Sequence, residues 1–501
     1  MQKVILNSNA EIVEKIDSLS NQPDLPITQW KELLQISSNR RDQVFFLAFI
    51  DNNHCFCGAI FSEKKRRIAG LNYSCLFLYG YDFFDFNSLH VDDKYAINYT
   101  SFLQNFAQSK GFNFLTLENL YQNNRLQSSF TLEEEIALLD NSIDDFSYIY
   151  SKKGVKRDRN TLVKKFNYQV KHFRGQEINE DLINQLANLH KERWAFDNVK
   201  SSFFEENRKV FYNSNTSNKL LTIIYADDDI LAMHYGMIVD KKLIFHTPVI
   251  NIKYYQYSPM AMLLFESAIF CEDNHLNEFN LGLGDESYKN RFTNSFTLSY
   301  TYHYPLGTFN KLRFYFLFIL SQNKSKLDFL FLFLKKVYRS SISLTNKLCF
   351  YNALTLQDSG VVLSSSIKFS VCSSFPQLVE AFRDSGSLIE RYHYNRIMNK
   401  EELYFLSEDK KIICYGWSTK KPLFVSEKNK TLDIKDGVIL YDFFTYEEFR
   451  NNGFYQKLLK KILTHLEPNS IAYIYALKSN IASNKAILKT GFQAINSSKI
   501  F

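Results

Sequence analysis

The stretch Val438–Leu463, VILYDFFTYEEFRNNGFYQKLLKKIL, constrains the fold more than any other. An apolar run stops at Phe444, a short turn follows, and Arg450-Asn451-Asn452-Gly453-Phe454-Tyr455 opens a pattern carrying Leu458, Leu459 and Ile462 on one helical face. This reads as strand, turn and amphipathic helix. The first N–H groups of a helix have no acceptor within it, and together with the positive end of the dipole they attract anions. Gly453 allows close backbone approach and Arg450 adds positive charge, so the fitting ligand is a diphosphate.

Similar alternation extends along the chain. Pro376–Ala381 reads as a helix, Glu402–Ser407, Ile412–Thr419 and Gly437–Phe444 as strands, Arg450–Leu466 as a helix, Ile471–Leu477 as a strand and Ile481–Thr490 as a short helix. Upstream, Gln43–Ile50 and Leu115–Leu117 read as strands and Thr100–Ser109 as a helix. Leu182, Ile183, Leu186, Leu189, His190 and Trp194 recur at helical spacing. Strands Leu220–Ala226, Ile230–Val239 and Leu243–Val249 follow, the first two joined by a turn at Asp227-Asp228-Asp229; then come a helix Pro259–Asp273 and a strand Glu278–Leu281. The order predicts an α+β fold of mixed, mostly antiparallel sheets flanked by helices, with an architectural repeat. The segments are 1–145, 146–320, a linker or packing helices over 321–360, and 361–501.

Composition narrows the class. Hydrophobic residues make up 45% and charged residues 23%, which excludes a disordered chain. Only 16 Gly and 8 Pro in 501 residues argue against turn-rich β repeats and long linkers. A net charge of +7 suits an acidic ligand such as a nucleotide or coenzyme A without calling for nucleic acid. The densest Lys and Arg, Lys152–Lys171, form either a solvated helix face or a contact for anionic lipid or a nucleotide-sugar. Seven cysteines without disulfide spacing point to buried thiols in a reducing, cytoplasmic compartment. His54-Cys55-Phe56-Cys57 lacks the second half of a zinc site, so no metal is expected. The N-terminus has no signal-peptide core, and no run reaches the roughly 18–20 apolar residues that span a bilayer. Phe314–Leu320 and Leu327–Leu334 read as packing helices or as helices lying on a membrane.

Beyond the turn, Ile471–Leu477 ends in Lys478-Ser479-Asn480, and Ser483 and Gly491-Phe492 follow. With these motifs in order, residues 361–501 resemble the Gcn5-related N-acetyltransferase (GNAT) superfamily. The resemblance implies that Arg450, Asn452, Gly453, Phe454 and Tyr455 hold the pyrophosphate of acetyl-coenzyme A or another acyl-coenzyme A, with no metal. It implies that Asn480 and Ser483 contact the coenzyme arm, and that the strand ending at Phe444 splays from its neighbour to hold the thioester carbonyl. The tyrosine that many members use to protonate the leaving thiolate is absent, and Ile487 stands near that place. Asp442 serves either as general base or as a structural carboxylate; Tyr415 and Trp417 either line the acceptor cleft or pack the core.

A second motif, Asn280–Phe292 (NLGLGDESYKNRF), crowds charged groups beside Gly282 and Gly284. With Ala232 and His234, and with Tyr257-Ser258-Pro259 opening a helix, residues 150–310 resemble the CelD/BcsL-like acetyltransferases, which are related to the Fem aminoacyltransferases. Met260 replaces the family's glycine, while Pro259 at the helix start is expected to leave amides free for an anion. The resemblance implies tandem GNAT-like folds, three units in all, with residues 1–145 a diverged half. His234 and Asp285 become acid–base candidates, with a structural histidine as the alternative, and Lys289 a candidate for a phosphate or carboxylate. The expected function is acyl-coenzyme A-dependent N-acyl transfer to a small-molecule amine. The acceptor implied is an amino-sugar or its nucleotide- or lipid-linked precursor in bacterial cell-surface polysaccharide synthesis, with peripheral membrane contact. The alternatives are a Fem-type aminoacyl transferase and a non-catalytic scaffold.

Overall fold

Long apolar runs with few glycines favour wide sheets, and two such sheets organise the protein. The computed structural model describes the chain except residues 69–70, 81–88, 121–125, 127, 129, 200, 202–210, 213–216, 285, 287–288, 313, 315–347, 358–359, 426–429, 435 and 496–501. Described residues of 1–193 and 201–321 form one unit, and those of 194–200 and 322–501 a second. The α+β expectation, with mixed and mostly antiparallel sheets, holds.

The first unit contributes β1 (Gln2–Leu6), β2 (Val44–Asp51), β3 (His54–Ile68), β4 (Leu71–Leu78), β5 (His90–Val91), β6 (Phe114–Leu120), β7 (Phe130–Asp140), β8 (Tyr168–Arg174), β9 (Lys219–Ala226), β10 (Asp229–Val239), β11 (Lys242–Ile250), β12 (Glu278–Asn280) and β13 (Ser295–Pro305). They join in the order β1-β2-β3-β4-β6-β13-β7-β12-β11-β10-β9-β8, with β5 on β3. Only β4–β6 and β11–β12 are parallel. The segments 1–145 and 146–320 exchange strands: β7 bonds β12, and β13 inserts between β6 and β7. Helices exchange too. Asn9–Ser18 and Ile27–Arg40 bring Ile12, Ile16, Trp30 and Leu33 into one core with Leu221, Ile223 and Met233. Across this core Lys219 pairs with Glu32 at 2.5 Å, both side chains only 1% exposed. Burial lowers the Lys219 pKa to about 8, the neighbouring Glu32 carboxylate acting against that fall.

In the second unit lie β14 (Leu348–Leu354), β15 (Ile367–Cys372), β16 (Glu402–Glu408), β17 (Lys411–Thr419), β18 (Leu423–Val425), β19 (Lys430–Leu432), β20 (Val438–Thr445), β21 (Ile471–Leu477) and β22 (Gln493–Ile495). Seven join as β15-β16-β17-β20-β21-β14-β22, and β18–β19 form a hairpin. β14 falls within the stretch expected as linker or packing helices, yet it pairs with β21 along its whole length. Its residues CFYNAL carry the aromatic, half-buried pattern of a strand. The helix after β20 spans Phe454–His465 and starts four residues later than the sequence pattern suggests. Asn451 (φ 65°) and Gly453 (φ 72°) are left-handed and hold Arg450–Gly453 out of the helix. It buries Leu458, Leu459, Ile462 and Leu463 on the sheet, about 1.5–3 kcal/mol each.

The expected helices at Phe314–Leu320 and Leu327–Leu334 lie, apart from Phe314, outside the described residues. Among the described residues no helix is long and apolar enough to cross a membrane. All seven cysteines are free thiols, six of them buried.

Candidate functional site

Strand β20 is the hinge of the site. It runs parallel to β21 only over Val438, Ile439 and Leu440, and no ladder continues beyond. On its other side it stays with β17 to Thr445 through a bulge opposite Gly416. Asp442 sits in that bulge at φ 50°. Phe443 lies over Gly416, where any Cβ would come within 2.1 Å of the ring. The bulge bends β20 away from β21, so the edge from Tyr441 to Thr445 has no strand partner on that side among the described residues. A splayed parallel pair presents free backbone polar groups to a cleft.

Immediately after the splay comes the turn. Arg450 closes a 3-10 turn by donating its N–H to Glu447 O at 3.2 Å. The next amide with an acceptor is Lys457, which bonds Gly453 O at 3.1 Å. Between them the N–H groups of Asn451, Asn452, Gly453, Phe454, Tyr455 and Gln456 find no acceptor among the described residues. Asn452 supports the turn with its own amide side chain, which donates to Phe449 O and Arg450 O. The Arg450 Nε donates to Thr445 O at 3.2 Å, and its guanidinium stands beside the half-exposed Phe444 ring. Tyr455 packs inward on Phe443 with ring centroids 5.2 Å apart, and burial raises its phenol pKa. The arrangement is an anion cradle at a helix N-terminus, opening beside the splay.

Asn480 caps the helix Ile481–Lys489, its side-chain oxygen accepting from the Ser483 N–H at 3.1 Å. Both residues therefore stand at the end of β21, Asn480 exposed and Ser483 half-buried. Ile487 is fully buried in the core beneath.

The far side of the splay holds groups that the sequence reading did not single out. The helix Arg391–Met398 places Arg396 against Asp442, Nη1 to Oδ2 at 2.7 Å, with the Arg396 side chain 20% and the Asp442 side chain 49% exposed. The guanidinium also stacks over Tyr392, Tyr441 and Trp417 at 4.8, 4.9 and 5.1 Å. Tyr441 bonds the buried Glu401 through a short hydrogen bond, and burial raises the Glu401 pKa. Tyr415 is half-buried beside Phe444, whereas Trp417 is fully buried. His393 accepts the Glu390 N–H at its Nδ1, and burial lowers its pKa to about 4 with Arg396 adding to the fall. The spacing of Tyr392, His393 and Arg396 at i, i+1 and i+4 is the one sequence signal that could have marked this face.

The first unit places its candidates differently. His234 is wholly buried against Phe245, ring centroids 4.1 Å apart. Burial lowers its pKa to about 3, and His246 and His172 add to the effect while the Ile244 carbonyl opposes it. Lys289 is buried and donates to the carbonyls of Gly282 and Leu283, pairing also with Glu286 at 2.9 Å. It fastens the glycine loop internally. Asp285 lies outside the described residues. The strand–turn–helix junction here, β11 to the helix Pro259–Asp273, is largely closed. Pro259 has no N–H, and the amides of Ala261 and Met262 both bond Ser258 O, at 2.9 and 3.3 Å. The expectation of free amides at Pro259 is therefore corrected in part: the left-handed Ser258 (φ 54°) turns its carbonyl onto two of them, and of the amides from Met260 to Met262 only that of Met260 has no acceptor among the described residues. Nearby, the helix Lys153–Lys165 lines a groove of about 540 Å³ with Lys153, Lys156, Arg157 and Lys164.

Residues 151–290 match the acetyltransferase (GNAT) domain family. The segment holds β8 to β12 and the largely closed junction. No curated protein matches the chain in sequence. Among solved structures, FemX is 9% identical, with a TM-score of 0.44 over 60% of this chain and 97% of its own. The L-PGS protein of Bacillus licheniformis is 12% identical, with a TM-score of 0.40 over 58% and 91%. A Gcn5-related N-acetyltransferase of Kribbella flavida is 9% identical, with a TM-score of 0.32 over 61% and 72%.

Proposed function

We propose that the second unit binds an acyl-coenzyme A, acetyl-coenzyme A being the first to test, and transfers the acyl group to the nitrogen of an amine. One observation carries the reading: six consecutive amides, Asn451 to Gln456, stand without acceptors at the start of a helix beside a splayed strand pair. A diphosphate satisfies them, and the elongated arm that follows it in coenzyme A fits the opening between β20 and β21. The thioester carbonyl then lies against the free edge of β20, where a backbone N–H stabilises the oxyanion of the tetrahedral intermediate.

A neutral amine attacks the carbonyl carbon, the C–N bond forms and the C–S bond breaks. Asp442, on the bulge, takes the proton from nitrogen directly or through water once its Arg396 partner turns to the acceptor. Because Ile487 is buried and offers no proton, the departing thiolate takes one from solvent. The acceptor proposed is an amino-sugar or a related precursor of a cell-surface polymer, consistent with the motif resemblance of residues 150–310. For the basic face of Lys153, Lys156, Arg157 and Lys164 we propose contact with an anionic surface. Sedimentation with phosphatidylglycerol vesicles but not with phosphatidylcholine vesicles supports it, and equal sedimentation refutes it.

The coenzyme reading is tested by calorimetric titration of the full chain with acetyl-coenzyme A. A fragment of residues 361–501 is not a substitute, since it lacks β14 from the middle of the sheet. Absence of heat from the full chain, with the protein folded, overturns the proposal.

A further inference from the structure

Behind the Arg396–Asp442 ion pair the second unit buries two hydrogen-bond donors that have no acceptor among the described residues. His393 is 3% exposed and Trp417 0%. The Glu390 N–H occupies Nδ1 of His393, so the ring proton resides on Nε2. Neither that Nε2 nor the indole Nε1 of Trp417 has a partner among the described residues. A buried N–H left without an acceptor is costly, and native proteins keep few of them. The two rings lie with centroids 5.9 Å apart, and the Arg396 guanidinium stands 5.1 Å from the Trp417 ring. Of the five donors on Arg396, one is committed, to Asp442. Three side chains with donors to spare, one of them cationic, therefore stand together, and the Asp442 carboxylate stands beside Arg396.

We propose that this cluster is the acceptor subsite, and that the acceptor carries a carboxylate a few atoms from its reactive amine. The inference rests on the acyl-transfer reading and names the substrate class for it. Such an acceptor is a zwitterion, and the Arg396–Asp442 pair is its complement. Arg396 takes the carboxylate, with the N–H groups of His393 and Trp417 as further donors, and Asp442 receives the ammonium, whose first proton leaves to solvent before the neutral amine attacks and Asp442 takes the second. The exchange replaces one ion pair by two, so neither charge is left without a partner. A neutral amino-sugar satisfies Asp442 but leaves the three donors facing a hydroxyl or nothing. α-Amino acids and amino-sugar acids meet the requirement; simple amines do not. Arg396, His393 and Trp417 act here as specificity-determining residues, with no part in the bond-making step.

The test uses the full chain, acetyl-coenzyme A, and acceptors in matched pairs. α-Amino acids are compared with their carboxamides, and 2-amino-2-deoxyuronic acids with the parent amino-sugars, the acylated product being measured by mass spectrometry. Within a pair the acid is expected to exceed its neutral partner in kcat/KM by at least about tenfold, the size of one charge-assisted hydrogen bond. Arg396→Gln is expected to erase the ratio of kcat/KM between the acid and its neutral partner, and Arg396→Lys to restore part of it. Trp417→Phe removes the indole N–H together with part of the buried ring, and is expected to raise the acid's KM about three- to tenfold relative to that of its neutral partner. Equal or better acylation of the neutral partners overturns the inference. So does acylation of none of the acids while acetyl-coenzyme A still binds, an outcome that leaves the coenzyme site standing. Failure of the coenzyme to bind overturns both.

Discussion

Two junctions of one design, strand to turn to helix, have opposite chemistry in this chain. Each follows a strand that is parallel to its neighbour for three residues and then diverges: β11 from β12 in the first unit, β20 from β21 in the second. In the first, proline and a left-handed serine leave only the Met260 amide without an acceptor among the described residues; in the second, left-handed asparagine and glycine leave six. The polar groups around them follow suit. Lys289 secures its own loop and Lys219 pairs with Glu32 in the core, whereas Arg450 and Arg396 stand at the margins of a cleft. The difference teaches that a shared topology supplies the place for an anion, and one or two turn residues decide whether it is open.

The comparison can be broken at several points. Glu32→Ala removes the carboxylate partner of the buried Lys219, and should cost the first unit about 3–5 kcal/mol in denaturant unfolding. The double variant Glu32→Leu with Lys219→Met should return close to wild type; if it does not, the pair is more than structural. Next in size, Gly453→Asp forces a left-handed side chain and adds negative charge, and should weaken acetyl-coenzyme A by at least about 100-fold. The matching Met260→Asp should leave affinity and a stoichiometry of about one unchanged; two coenzymes per chain would show the first junction to be open. Copying the proline across, Phe454→Pro removes one amide at a position where proline suits a helix, and should cost about tenfold in affinity, with some loss of melting temperature from the Phe454 packing it gives up.

The smallest effect concerns pH. His234 and His393 titrate near 6.5 when unfolded, but only near 3 and 4 in the fold, where burial disfavours the charged ring. The unfolded chain thus binds more protons below about pH 6.5, so stability is full above that pH and falls as pH drops, by about 0.8 kcal/mol per histidine at pH 6. Melting curves of wild type and His234→Leu between pH 6 and pH 8 should converge at the upper end and part at the lower. Parallel curves would mean that His234 takes up its proton in the folded state.

Much of the architecture was legible because it rests on local pattern. The helix Pro259–Asp273 and the strand Ile471–Leu477 have the expected bounds, and Ile412–Thr419 differs from β17 by one residue. β14 and β13 escaped notice because their partners, β21 and the β6–β7 pair, are distant in sequence and nothing local announces them. The candidate site divides in the same way. Arg450, Asn452 and Gly453 are adjacent and could be read as a turn. Arg396, His393 and Glu401 meet Asp442 and Trp417 only because β16 and β17 bring a short helix over β20.

By itself the sequence determined where many of the strands and helices form, and that a glycine-bearing turn after Phe444 would lead into a helix, since periodicity and left-handed propensity act over a few residues. Only the tertiary structure decided which turn keeps its amides free, which histidine is sealed, and which arginine faces the carboxylate of the bulge. Those outcomes depend on where a carbonyl or a ring arrives from another part of the chain, and hydrogen bonds and desolvation act at contact distance, which no stretch of sequence specifies alone.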